Sequence, residues 1–383
     1  MNKVLFDGTA LQTSISVKFH GGSEYAKCVL TAALQQGKIF DIVFDKNMDI
    51  DSSILQKITE NHAIQVFWVE KKNDIYKLLS EYEYDIFYSA LPYKYEDYNC
   101  SRTKFIMVIH GLRPLELPWD FYRYKYVNNI FKKILFYLFS FSPYLIEKKQ
   151  QKHLKRLTQL LSVQNKLIVT VSTHSKFSLL FFFSFLADEE IIVSYSPFNF
   201  EEVKIDSSLI VNEYYLMING NRFEKNIYRA MVAFDLLFSK ELLSDKKVVI
   251  TGGLSTMLNW VKNKNKFIIM PYVSKEDFNN LFKNAYAFVY PSLNEGFGYP
   301  PLIAMNYSIP VLASSSTSIN EICENAALYF NPYKIDEISN RILQIENSVS
   351  TKEKLKLESR LQVDKIKLKQ NKDLQLLVKK IFQ

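Results

Sequence analysis

Cysteine is scarce: Cys28, Cys100 and Cys323 are the only three in 383 residues. They are odd in number and far apart, so neither a disulfide framework nor a zinc knuckle follows, and a reducing cytosol is the default. Glycine (10) and proline (11) are few, which excludes collagen-like, low-complexity and linker-rich chains. Long hydrophobic runs are missing as well. The longest, 134–141 and 179–187, fall well short of the ~20 residues that cross a bilayer. The opening MNKVLFDGTA has no apolar h-region, so no secretory leader is expected. The expected setting is the cytoplasm, either free or peripheral on the inner face of the cell membrane.

What is present supports a large folded core. Hydrophobic residues make up 48% of the chain and charged residues 23%, the balance of a globular protein long enough for two domains. The net charge of +8 is unevenly spread. Segment 121–156 holds nine Lys/Arg against Glu147 alone, and 351–383 holds ten against four acids, so the remainder is −6. Such local basicity describes a surface. In 121–156 the basic residues flank aromatic and aliphatic runs, a pattern suited to an anionic membrane interface. A packed helix with solvated lysines is the alternative. No helix-turn-helix, zinc-finger or RNA-recognition pattern is present, so nucleic acid is not an expected partner.

Eleven short β-rich runs alternate with helical stretches, from 38–44 to 310–313. That alternation predicts an α/β protein of parallel sheets with right-handed crossovers. Eleven strands overfill one sheet, so two doubly wound domains are expected, with a boundary near 196–208. In such sheets ligands bind beyond the carboxyl ends of the strands. His110-Gly111 follows the run 105–109, Gly220 to Lys225 follows 215–218, and 291–301 follows 287–290.

The last of these reads PSLNEGFGYPPLIAM. Gly296 and Gly298 allow close backbone approach to a ligand. Pro300 and Pro301 suit a first helical turn, and the helix N-terminus that follows favours an anion. Glu295 adds a carboxylate beside it. Amides for phosphate and a carboxylate for hydroxyls together suit a nucleotide sugar.

This segment, followed by PVLAS, an Ile-Asn-Glu turn and AALYFNP, resembles the family-4 glycosyltransferases of GT-B fold. NGNRFEKN resembles the family's diphosphate clamp, VIHGLRPLELP its His-containing loop, LIVTVSTHSK a stretch late in its N-terminal domain, and FHGGSEY its N-terminal glycine-rich loop. The resemblance implies two Rossmann-like domains with an interdomain cleft. Residues 1–200 would form the acceptor-binding domain and 201–350 the nucleotide-sugar-binding domain. Segment 351–383 would be an amphipathic helix that packs back on the first domain. The resemblance also implies a retaining, metal-independent hexosyl- or deoxyhexosyltransferase, without cofactor, acting in O-antigen or capsule synthesis on a lipid-linked acceptor. Glu295 would hold donor hydroxyls. Arg222 and Lys225 would neutralise the leaving diphosphate, with Gly220 and Asn221 beside them. The backbone at Gly296, Phe297, Gly298 and Tyr299 would hold phosphate. His110 would border the sugar, and Gly21 and Gly22 would face the phosphates. A soluble glycan or protein acceptor, or a degenerate binding subunit, are the alternatives.

Two departures stand out. The family places a second Glu eight positions after the first, on the ribose hydroxyls; here that position is Ile303. A dTDP-sugar, lacking the 2′ hydroxyl, would suit the loss; UDP- and GDP-sugars are the other candidates. The clamp is also short, with Lys225 three residues after Arg222 rather than five, so a solvated loop lysine is a competing reading. Asp49-Ile50-Asp51 matches a metal-binding Asp-x-Asp, but its place before a helix predicts a cap. Ser172 reads as a cap too, since no nucleophile elbow surrounds it.

Overall fold

The computed structural model describes residues 2–12, 21–127, 129–198, 209–210, 212–243 and 246–383. Phe19, His20 and most of the expected boundary at 196–208 lie outside them. The chain forms two compact units, Met1–Leu112 with Gln150–Asn199 and Lys367–Gln383, and Arg113–Lys149 with Phe200–Ile366.

The first unit holds seven strands: β1 (Val4–Asp7), β2 (Asp41–Asp45), β3 (Val66–Val69), β4 (Ile86–Ser89), β5 (Lys104–Ile109), β6 (Lys166–Thr170) and β7 (Ile191–Val193). Their order is β3-β2-β1-β4-β5-β6-β7, and every pairing is parallel. The second holds β8 (Tyr214–Met217), β9 (Lys247–Ile250), β10 (Phe267–Ile269), β11 (Ala287–Tyr290), β12 (Val311–Ser314) and β13 (Ala327–Phe330). Their order is β10-β9-β8-β11-β12-β13, again all parallel. Strands β1, β4, β8, β11 and β12 are buried along their whole length. Covered on both faces, they read as continuous apolar runs rather than alternating ones. The α/β expectation holds, and the eleven expected strands become thirteen among the described residues. Strands β1 and β13 are the additions, each only four residues long. An apolar run that short carries no decisive period.

Strand order reverses between β1 and β4 in one sheet and between β8 and β11 in the other. At such a reversal the connections leave in opposite directions and open a crevice at the carboxyl edge. The second reversal is where the loops carrying Arg222 and Glu295 emerge.

Residues 113–149 pack with the second unit. The buried Arg229–Asp120 ion pair at 2.8 Å is one staple. The Tyr228 N–H donates to the Tyr126 hydroxyl at 2.8 Å, and the Tyr126 ring meets Phe223 and Trp260 edge-on. The C-terminal helix runs unbroken over Val349–Phe382. Leu355 and Ile366 are buried in the second unit, and Leu377, Val378 and Ile381 in the first.

Several local expectations hold. Asp51 caps the helix Ser52–Thr59 by accepting from the Ser53 N–H, and Ser172 caps Thr173–Phe182 by accepting from the Ser175 N–H. Among the described residues, no helix is long and apolar enough to cross a membrane.

Candidate active site

The loop after β8 is held from beneath. The Gly220 N–H donates to the Thr251 carbonyl and the Asn221 N–H to that of Gly252, at 2.9 and 2.8 Å. A Cβ at Gly220 would sit 2.8 Å from an Ile250 methyl and 3.0 Å from the Gly253 backbone, so only glycine fits. Asn221 accepts from the Tyr272 hydroxyl at 3.1 Å. Arg222 then leads into a 3-10 turn, Phe223–Lys225, and the helix Ile227–Ser239.

Lys225 is not a solvated loop lysine: it is buried, at 5% exposure, and so is Glu295, at 8%. Their side chains form an ion pair across the β8 and β11 loops. Glu295 Oε1 also accepts from the Tyr290 hydroxyl at 2.7 Å and from Ser292 Oγ at 2.5 Å. Lys225 Nζ donates to the Tyr290 hydroxyl as well, at 2.9 Å. All these donors converge on Oε1; no described residue donates to Oε2. Burial alone would raise the Glu295 carboxyl. Lys225, Arg113 and the hydrogen bonds outweigh it and hold the carboxyl down to about 2. Burial lowers the Lys225 ammonium in turn, and Glu295 opposes that shift.

A pH prediction follows. The Glu295 carboxyl titrates lower folded than unfolded, where it lies near ~4.3. Its contribution to stability is therefore full above that pH and is lost as pH falls toward 2. Glu295→Gln should flatten the fall in melting temperature between about pH 5 and pH 2. Parallel acid slopes in the two proteins would show that the pair does not hold the fold.

Arg222 donates through Nε and Nη2 to Glu224 Oε1 at 2.9 and 2.5 Å, and Arg113 Nη1 donates to the same oxygen at 2.8 Å. Burial would raise the Glu224 carboxyl, but the two guanidiniums hold it below the usual range. Arg113 Nε is buried with no hydrogen-bond acceptor among the described residues. Asn294 Nδ2 donates to Glu116 at 2.6 Å. Arg113, Glu116 and Glu224 carried no sequence signal as site residues. Arg113 and Glu116 lie in VIHGLRPLELP, and only the fold brings them beside 222–225.

The glycine-rich loop is braced on its inner side. The Glu295 N–H donates to Thr317 Oγ1 at 2.9 Å, and Ser318 Oγ donates to the carbonyls of Glu295 and Phe297 at 2.9 and 2.8 Å. Gly296 precedes the buried Phe297, whose ring lies 5.3 Å from that of Tyr299. Gly298, at φ +117, caps the helix Tyr299–Asn306, with Pro300 and Pro301 in its first turn as the sequence predicts. A Cβ at Gly298 would meet no atom of the described residues within 4 Å. The prolines lack N–H groups, so anion binding here depends on amides up to Tyr299. Ile303 is buried on the same helix.

Asn226, also unmarked by sequence reasoning, ties the loops together. At φ +56 it sits in the left-handed region. Its Nδ2 donates to the carbonyls of Pro291 and Pro332 at 3.0 and 2.7 Å, and its Oδ1 accepts from Arg229 at 3.0 Å.

His110, Gly21 and Gly22 belong to the first unit. Gly21 and Gly22 open the helix Gly21–Gln35. His110 follows β5. Its Nε2 lies 2.8 Å from the Ala90 carbonyl, which can only accept, so Nε2 carries the proton. Its ring meets Tyr25 edge-on.

The profile of the family Glycosyl transferases group 1 matches residues 201–362. O-antigen chain mannosyltransferase B of Escherichia coli is 30% identical over 201 residues, 47% of this chain and 51% of that protein. O-antigen chain mannosyltransferase RfbU of Salmonella typhimurium is 32% identical over 127 residues, 31% of this chain and 34% of that protein. The matches thus span about half or less of these curated relatives. Among solved structures, Anabaena HepE in complex with UDP-glucose superposes with a TM-score of 0.65 at 12% identity, covering 98% of this chain and 99% of that one. The fold is therefore that of the GT-B glycosyltransferases, and residues 201–362 match the Glycosyl transferases group 1 family.

Proposed function

We propose that this chain is a retaining glycosyltransferase that moves a hexosyl group from a nucleoside-diphosphate sugar to a lipid-linked acceptor in surface-polysaccharide synthesis. The observation that carries this reading is the buried Lys225–Glu295 pair at the β8–β11 reversal, beside Arg222 and the Gly298-capped helix. The relatives' names favour mannose as the sugar.

Glu295 Oε2, open to a further donor, accepts a hydroxyl of the donor sugar. The ammonium of Lys225 has three N–H groups and spends two on Glu295 and Tyr290, leaving one for phosphate. Arg222 spends two of five on Glu224. Both cations face the diphosphate as its charge develops, the main electrostatic task of the step. The bond from the anomeric carbon to the phosphate oxygen breaks, and a bond to the acceptor oxygen forms on the same face. The acceptor's proton passes to the departing phosphate. The protein's own groups bind, orient and neutralise; none needs to carry the proton.

A thermal-shift screen with UDP, GDP, dTDP and ADP tests the donor. At a hundredfold excess over Kd, the matching nucleotide should stabilise the fold by ~2.7 kcal/mol, and Arg222→Ala should reduce the shift. A buried Ile303 in place of a ribose-binding carboxylate favours dTDP; equal shifts for dTDP and UDP would remove that argument. No shift with any nucleotide, together with no turnover of their sugars, would overturn the enzyme reading and leave a binding subunit.

A further inference from the structure

We infer that the helix Ile130–Phe139 is an interfacial anchor that lies in an anionic lipid surface. The inference is independent of the donor chemistry proposed above. This ten-residue helix, IFKKILFYLF, buries none of its residues. One side packs on the preceding turn: Phe136 and Phe139 stack on Trp119 at 5.8 and 5.9 Å, and the Arg123 guanidinium covers the same indole. The other side is apolar and open. Phe131 is 79% exposed, Ile130 61% and Phe141 67%, with Ile134, Leu135, Tyr137 and Leu138 between them.

At 3.6 residues per turn the six of these within the helix share one continuous face, and Phe141 follows just beyond its end. Lys132 and Lys133 fall on its two margins. The next helix, Pro143–Leu161, continues the pattern, with Tyr144 and Leu145 exposed in its first turn and Lys148, Lys149 and Lys152 after them. An apolar face with cations along its edges matches acyl chains below and anionic headgroups around. A protein partner would have no need of a lysine rim carrying so little acid; across 121–156 the only carboxylate is Glu147.

The other basic segment, 351–383, is a weaker candidate. Most of its apolar stripe, including Leu355, Val363, Ile366, Leu377, Val378 and Ile381, is already buried within the fold. The surface in 121–156 is thus the one left for lipid, and it would bring the chain to the membrane in which a lipid-linked acceptor resides.

Flotation with phosphatidylglycerol–phosphatidylcholine vesicles tests this on the full chain. Wild type should bind at low salt and be released by about 1 M NaCl, where the Debye length falls to ~3 Å. The triple substitution Phe131→Ser, Leu135→Ser, Leu138→Ser should weaken vesicle partitioning at least ~100-fold, since each exposed apolar group adds roughly a factor of ten on burial. Lys132→Gln with Lys133→Gln should weaken it about 25-fold, from ~1 kcal/mol per lysine. Neither variant should change the melting temperature, because the substituted side chains lie off the face that packs on Trp119. The proposal is overturned if wild type does not bind at low salt, or if it binds and both variants bind equally well. It is also overturned if light scattering shows a dimer that the triple substitution dissolves, which would assign the face to a second copy of the chain.

Discussion

Glu295→Gln should lower the proposed sugar transfer by about 10²- to 10³-fold, the usual cost of removing one preorganised electrostatic group from an active site. The carboxylate's Oε1 balances Lys225 inside the protein, and in the proposed reaction its Oε2 accepts from the donor sugar. Gln keeps the volume but not the charge, so Lys225 is left buried and uncompensated. Breaking a buried pair from one side costs on the order of 3–5 kcal/mol. Rates must therefore be read well below the melting temperature of the variant. Lys225→Met with Glu295→Gln removes both charges and should recover stability but not turnover. A double variant that melts no higher than Glu295→Gln alone would show that the charges are not coupled. Wild-type turnover in Glu295→Gln would remove the residue from the reaction.

The second large effect is on folding. Asn226→Ala removes two donors to buried carbonyls, removes the acceptor for Arg229, and forces alanine into the left-handed region. Each orphaned buried group costs about 1–3 kcal/mol, and these losses overlap. A total of roughly 3–5 kcal/mol is expected, a drop of about 10 °C in the transition that reports on the second unit. Asn226→Gly tolerates the backbone angle and should be about 1 kcal/mol less damaging. A change of under about 2 °C in Asn226→Ala would mean that the loops after β8, β11 and β13 do not depend on this side chain.

Much of this site was legible in the sequence because parallel sheets put their chemistry just past the strand ends. Gly220, Arg222, Lys225, Glu295 and Gly298 all follow an apolar run directly, and the pair of prolines marks where the helix must begin. The Lys225–Glu295 contact spans 70 positions, and only their shared place at a strand-order reversal connects them. Arg113 and Glu116 were illegible for a different reason. They reach Glu224 and Asn294 across 111 and 178 positions, and no local period or cap predicts such a pairing. Asn226 is harder still. Its role depends on a backbone angle and on carbonyl positions, neither of which leaves a mark in residue type. Strands β1 and β13 show the lower limit of the reading, since four buried residues suit a strand and one turn of helix equally well.

The unbroken C-terminal helix has a consequence for biosynthesis. The first sheet is assembled from residues made earlier, yet its unit also requires residues 367–383, where Phe382 packs against Phe40 with ring centroids 5.5 Å apart. A nascent chain emerging from the ribosome can close the second core while the first still lacks its last layer. Translation of residues 367–382, rather than emergence of the first sheet, then sets the moment at which that unit becomes whole. Deleting the helical turn around Phe382 would be felt in the part translated first.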